Sequence, residues 1–390
     1  MFEIIEKEDV GAESDTVIKV IGVGGAGGNA VDHMIQDGVM GVEFIAANTD
    51  AQALKRSVAH KKIRLGRTGL GAGAKPEMGR SAAIEERDQI AEALKGAHMV
   101  FITAGMGGGT GTGAGPIVAE VARELGVLTV AVVTKPFAFE GKRLKVAEEG
   151  IAELQKNVDS LIVILNDKLM DVLGDDVSMD EAFKAADNVL RNAVGGIAEI
   201  INFPGLVNVD FEDVRTVMGE MGMAMMGSAN ASGVDRARIA AEQAVASPLL
   251  EGINLSGAKG VLVNITATRS LKMKEVNEVM STVREFAAED AHIIFGAVYD
   301  ESMGEEIRVT VVATGLGQAQ AKRQSFEVIN TPVMQGTGTD GVFANGSAID
   351  YSQLDVPAVV RKGRSSTVEA LANSGVDRYD IPAFLRKQAD

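Results

Sequence analysis

Seven consecutive residues, 107–113, are only glycine and threonine, inside the run AGMGGGTGTGAGP that begins at Ala104. The run follows an apolar, β-rich stretch and leads into a helical pattern, so it is a strand-to-helix loop. It offers successive main-chain N–H donors with almost no steric bulk, flanked by the Thr110 and Thr112 hydroxyls, which is an anion nest. Two further glycine loops occupy the same kind of position. Residues 21–31 read IGVGGAGGNAV, with Gly22, Gly24 and Gly27 in GxGxxG spacing, and residues 69–77 read GLGAGAKPE. Glycine is 45 of 390 residues, where a usual share is ~7%, and the surplus gathers in these loops. Three loops exceed what one pyrophosphate needs and suit a nucleoside triphosphate held largely by backbone. A Walker A loop is absent, since GAGAK at 71–75 continues into Pro76 instead of Ser or Thr.

GxGxxG alone also fits a Rossmann-type NAD(P)-dependent oxidoreductase. Asp50, at the end of the next strand-like run, stands at about the spacing of a ribose-binding carboxylate. That alternative leaves the 107–113 nest unexplained. Composition removes other classes. A formal charge of −16 argues against a nucleic-acid-coating protein, because phosphate binding rests on Lys and Arg. Cysteine is absent, so disulfides, thiolate metal sites and cysteine nucleophiles go together, and four His make a His-based metal centre a poor reading. No apolar run reaches the ~18–20 residues of a membrane span. The acidic start MFEIIEKEDV lacks a secretory pattern, so the cytoplasm is the expected address.

A polar arm, 1–15, precedes a regular alternation. Strand-like runs at 16–22, 42–47, 99–104, 127–133 and 160–165 interleave with helical patterns at 28–36, 77–94, 115–125 and 145–155. This is βαβ order around a mostly parallel sheet. A long helix is expected over 179–201, opened by a capping box of Ser178 and Glu181 and closed by Pro204-Gly205. Beyond it lies a second αβ region, with strands near 258–266, 292–299 and 306–313 and a helix near 276–288. Met218, Met221, Met223, Met225 and Met226 read as flexible core filler, with a subunit contact as the alternative. Residues 318–376 are rich in Gln, Ser, Thr, Asn and Gly and read as a flexible, disordered linker of roughly 45 Å typical span.

At GGGTGTG the chain resembles the tubulin-like GTPases, specifically the FtsZ family of bacterial cell-division proteins. The runs ANTDAQAL, FITAGMGGGTGTG, TVAVVTKPF, NVDFEDV and VTVVATG carry the same resemblance over about residues 16–316. It implies an α/β, tubulin-like fold: a Rossmann-like parallel-sheet GTP-binding domain (16–178), a central helix (179–203) and an α+β domain with a catalytic loop (204–317). The linker (318–376) and a partner-binding peptide (377–390) would follow. It also implies GTP hydrolysis to GDP by a self-assembling protein of the cytoplasmic mid-cell division ring, with Mg²⁺ held mainly through nucleotide phosphates. Carried over by position, Gly25, Ala26, Gly27, Gly28 and Asn29, with Gly107, Gly108, Gly109, Thr110 and Gly111, would hold phosphates. Gly71, Ala72 and Gly73 would close over the terminal one. Glu140 and Arg143 would meet the ribose and phosphate region, and Asn166, Phe183 and Asp187 the base.

The base group has its own chemistry. Phe183 and Asp187 are four apart and share a helix face. The ring can stack on a purine while the carboxylate accepts two guanine N–H groups; adenine would leave it unpaired. Asn208, Asp210 and Asp213 form NxDxxD, in which Asp210 can cap a helix at 211–221. The resemblance makes Asp210 and Asp213 the groups that polarise an attacking water and Asn208 a positioning group. Asp187 to Asp210 is mostly helical and about 30 Å long, so these acids would serve the nucleotide of the next copy in a head-to-tail filament. In DIPAFLRK, Asp380, Ile381, Pro382, Phe384, Leu385, Arg386 and Lys387 form an apolar cluster with a basic flank, a peptide for partners to dock. By resemblance those partners include the membrane anchor FtsA, so that membrane attachment is indirect.

Overall fold

Alternate residues of β1 (Ile18–Val23) feed two different cores: Ile18 and Val20 face one side of the sheet, Ile21 and Val23 the other. That pattern, apolar on both faces, is what a central parallel strand covered by helices requires. A computed structural model describes residues 16–316 apart from 175, 203–206, 208, 221, 248–257 and 289–290. These fall in one compact unit, Met1–Ala321, whereas a second, Lys322–Asp390, contains none of them.

The first half runs β1, α1 (Gly24–Gln36), β2 (Val42–Asn48), α2 (Ala51–Arg56), β3 (Lys61–Arg64), α3 (Pro76–Glu85), α4 (Arg87–Leu94), β4 (Met99–Gly105), α5 (Thr110–Glu124), β5 (Leu128–Lys135), α6 (Lys142–Leu154), β6 (Ser160–Leu165) and α7 (Asn166–Leu173). The long helix α8 (Met179–Asn202) follows, then α9 (Phe211–Met218), β7 (Gly222–Ala231), α10 (Arg236–Val245), β8 (Gly260–Ala267), α11 (Met273–Phe286), β9 (His292–Tyr299) and β10 (Ile307–Leu316). Among the described residues ten strands form one sheet in the order β3-β2-β1-β4-β5-β6-β7-β10-β8-β9. Pairing is parallel from β3 to β7; β10 runs antiparallel to both β7 and β8, and β9 is parallel to β8.

Helix α8 packs on one face with α1 and α9, through Leu190, Ala193, Val194 and Ile197. Its start is the expected capping box: Glu181 N–H donates to the Ser178 hydroxyl at 3.3 Å, and Ser178 N–H to the Glu181 carboxylate at 2.9 Å. The opposite face of β1, β4 and β5 is covered by residues of α3 to α6.

Several expected boundaries move. Helices α1 and α5 begin inside their glycine loops, four and five residues earlier than the apolar periodicity indicates, because glycine adopts helical angles without adding an apolar signal. The helix expected over 77–94 is two helices broken at Glu86. Of the Met-dense run, Met218, Met225 and Met226 are core residues as expected. Met218 ends α9, whereas Met223, Met225 and Met226 lie in β7, a strand the periodicity did not indicate, with Met225 and Met226 buried on its opposite faces. Met221 lies outside the described residues. Among the described residues no helix is long and apolar enough to cross a membrane.

Candidate nucleotide site

The three glycine loops meet. A Cβ built on Gly24 would stand 2.9 Å from the Gly111 nitrogen, and one on Gly109 would stand 2.8 Å from the Ala72 Cβ. The Thr49 and Thr110 hydroxyls, 2.6 Å apart, tie the end of β2 to the first residue of α5. The first two loops, at 22–29 and 105–111, line a cavity of about 300 Å³ at the C-terminal ends of β1, β4 and β5, where α1 and α5 begin, and no residue of the 69–77 loop is part of its wall. Helix N-termini present unpaired N–H groups and partial positive charge, so two of them aimed at one cavity make it an anion site.

Of the expected residues, Gly25, Ala26, Gly108, Gly109, Thr110, Gly111, Glu140, Arg143, Asn166 and Phe183 line this cavity. Gly105, Met106, Thr134 and Pro136 line it too. Sequence reasoning missed these four, and only Gly105 and Met106, as members of the glycine run, carried any signal. Arg143 and Glu140 form an ion pair of 2.5 Å at its wall. Phe183 packs edge-on to Phe137 at 5.6 Å and is 44% exposed, so ring surface remains for a base. Asn166 Oδ1 is buried with no hydrogen-bond partner among the described residues. A buried acceptor left open in this way fits a ligand that brings an N–H.

Asp187 is half-buried, one turn beyond Phe183 on α8. Burial pushes its carboxyl up to about 6, against a smaller opposing pull from His33. Gly71 and Gly73 adopt left-handed φ of 84° and 57° around Ala72, which rests on Gly109, so this loop packs against the second glycine loop, but none of Gly71, Ala72 and Gly73 lines the cavity.

Other expected residues stand elsewhere. Gly27 is where α1 crosses β4, since its Cβ would lie 2.3 Å from the Thr103 carbonyl oxygen. Gly28 and Asn29 line a separate cleft of about 20 Å³ with Asp32 and Ser57. Gly107 spends its N–H on the Thr112 hydroxyl at 2.8 Å, and Thr112 is 3% exposed. Thr112 therefore braces the loop from behind and does not offer its hydroxyl to an anion, as its position in the run suggested. Asp50 caps α2, accepting from Gln52 N–H at 2.8 Å and Ala53 N–H at 3.4 Å, and is not part of the cavity wall.

The acids lie at the other end of the sheet. Asp210 caps α9 by accepting Asp213 N–H at 2.8 Å, and both carboxylates are exposed. The next residue, Phe211, packs edge-on to His98 at 6.0 Å. His98 is paired with Val17 just before β1 and β4 begin. The glycine nest follows the far end of β4, whose seven residues span about 20 Å at the usual strand rise. Along the other route, α8 ends at Asn202, so the helical part of the path from Asp187 is about 22 Å, shorter than the length expected from the sequence. No carboxylate side chain bridges either distance. Asn208 and the peptide from Asp380 to Lys387 lie outside the described residues.

A sequence profile for the Tubulin/FtsZ family GTPase domain matches residues 17–174, and one for the FtsZ family C-terminal domain matches 222–317. The cell division protein FtsZ of Pseudomonas putida is 52% identical over the whole of both chains, and that of Coxiella burnetii 54% over 99% of each. The chain belongs to the FtsZ family. Among solved structures, an empty FtsZ dimer from M. jannaschii superposes with a TM-score of 0.75 at 44% identity, covering 77% of this chain and 89% of that one. A GTPγS-bound protofilament of CetZ2 from Haloferax volcanii has a TM-score of 0.65 at 21% identity, covering 78% and 94%, and shares the fold. The protein is thus a tubulin-like cell-division GTPase with FtsZ as its family, and nothing supports the oxidoreductase alternative. The GTPase match takes in all three glycine loops.

Proposed function

We propose that GTP and GDP bind in the cavity lined by the first two glycine loops, with the third packed against the second, and that GTP is hydrolysed only where two copies meet head to tail. One observation carries this reading: Phe211, beside Asp210, touches His98 at the start of β4, whereas the phosphate nest follows its end. A neighbour stacked along the strand direction brings its Asp210 and Asp213 to that nest. There they orient and polarise the attacking water while the α5 amides stabilise charge on the phosphate oxygens. Such a contact joins unlike surfaces and propagates as a filament.

Among the described residues no group of three or more His, Asp or Glu could hold a metal alone. Mg²⁺ fits this site as a companion of the triphosphate, where it would neutralise charge on the β- and γ-oxygens. Guanine is selected by Phe183 and the open acceptor of Asn166 at the cavity wall, together with Asp187, which stands one turn beyond Phe183 on α8 and off that wall. The division of the chain follows the same reading: arm 1–15, GTP-binding domain 16–178, central helix 179–203, α+β domain 204–317, linker 318–376 and tail 377–390. The tail docks division proteins, the membrane anchor FtsA among them, and so places filaments at the mid-cell membrane indirectly.

Mixing tests the shared site. Asp210→Asn chains keep a working pocket, and Asp187→Ala chains keep working acids. Each preparation alone should release little phosphate. An equal mixture should regain up to about a quarter of the unmodified rate, the share of joints that pair a good pocket with good acids. A silent mixture, or full turnover by a strictly monomeric preparation, would refute the reading.

A further inference from the structure

Gly150 lies in the third turn of α6, buried and outside the cavity wall. A Cβ there would stand 2.3 Å from the Thr112 methyl, 3.0 Å from the Met106 Cε and 3.5 Å from the Thr112 Cβ. The Met106 methyl is a flexible end that can yield. The Thr112 methyl cannot move without turning the side chain, and that side chain carries the hydroxyl that receives Gly107 N–H. Gly107 holds φ of 93°, and its own Cβ would lie 2.8 Å from the Arg143 carbonyl oxygen. Arg143 is the second residue of α6. One helix therefore touches the phosphate loop twice, through Thr112 at Gly150 and directly at Arg143.

We propose that Gly150 is a positioning residue for the GTPase site: its bare Cα seats α6 against Thr112, fixing the rotamer whose hydroxyl anchors Gly107 at the entrance to the phosphate nest. Threonine has few χ1 choices, and the helix surface selects one of them. With Gly107 N–H pinned, the chain leaves β4 at an angle that turns the amides of 108–111 toward the cavity. If α6 is lifted, Thr112 rotates, the buried Gly107 N–H loses its acceptor, and Arg143 moves with its helix. The inference rests on reading residues 107–111 as the phosphate loop.

The test uses the full chain and a fluorescent GDP, with thermal melting read separately. Gly150→Ala should weaken GDP binding about tenfold, the scale of a buried N–H left unpaired, even though Ala is ordinarily the better helix residue. Thr112→Ser removes the obstructing methyl and keeps the hydroxyl, so Gly150→Ala with Thr112→Ser should bind within about threefold of the unmodified chain. Thr112→Val keeps shape and loses the acceptor. Alone it should bind weakly, and it should not rescue Gly150→Ala. Rescue by valine equal to that by serine would reduce the contact to packing and overturn the proposal. So would unchanged GDP binding by Gly150→Ala or by Thr112→Val. Failure of the unmodified chain to bind GDP would instead overturn the phosphate-loop reading.

Discussion

Guanine recognition by this protein should titrate near pH 6. On the proposed reading Asp187 accepts N–H groups from the base and must be ionised to do so, yet burial holds its carboxyl at about 6 in the nucleotide-free chain. The binding-competent fraction is then about nine-tenths at pH 7 and about one-tenth at pH 5, and apparent affinity scales with that fraction. GDP affinity should therefore fall about tenfold between those pH values from this group alone. Phosphate ionisation of the ligand adds its own slope, so the quantity to measure is a ratio: affinity of the unmodified chain over that of Asp187→Asn at each pH, by fluorescent GDP titration. That ratio should shrink about tenfold from pH 7 to pH 5, with its midpoint near 6.

Stability carries the opposite sign. The folded, nucleotide-free chain holds the Asp187 proton more tightly than the unfolded chain does, 3.8 being the ordinary value. Stability is therefore lost as pH rises from about 4 to about 6 and stays lower above. Two pKa units correspond to about 3 kcal/mol, and partial exposure cuts this to on the order of 1–2 kcal/mol. Asp187→Asn should accordingly raise the melting temperature of the nucleotide-free chain at pH 7.5 and leave it unchanged at pH 4. A flat affinity ratio together with an unshifted melting temperature would refute the assignment of burial as the cause.

Two further substitutions probe the scaffold. A Cβ on Gly113 would stand 1.9 Å from the Pro76 carbonyl oxygen, so α3 and α5 cannot keep their contact in Gly113→Ala; urea unfolding should show a loss of at least about 2 kcal/mol. The buried Arg236 guanidinium binds both Glu275 oxygens, at 2.7 and 3.2 Å, and holds that carboxyl below its usual range. Arg236→Met should cost about 3 kcal/mol or more, and adding Glu275→Met should recover part of it, because the second change removes an uncompensated buried charge.

The glycine loops were legible in the sequence because their function lies in what they lack. A run such as GGGTGTG lets backbone approach closely and leaves main-chain N–H groups uncovered, and it lies between a strand and a helix as expected. Phe183 and Asp187 were legible as a pair because helical spacing is rigid. Thr134 and Pro136 were not, since ordinary residues enter a cavity wall through the angle at which the chain leaves β5. Strand β7 was obscured by methionine and glycine, whose preference for strand is weak and whose place between β6 and β10 is set by pairing partners distant in sequence.

By itself, the order of residues determined the alternation of strands and helices, the anion nest and the two acids after the long helix, because each rests on spacing of a few residues along one element. Only the tertiary structure decided how those parts divide the molecule. It gathered three loops at one end of the sheet and turned Asp50 and Thr112 to bracing roles. It set Asp210 and Asp213 at the other end, about a strand's length away. Distance through a packed sheet depends on which strands become neighbours, and no local pattern encodes that.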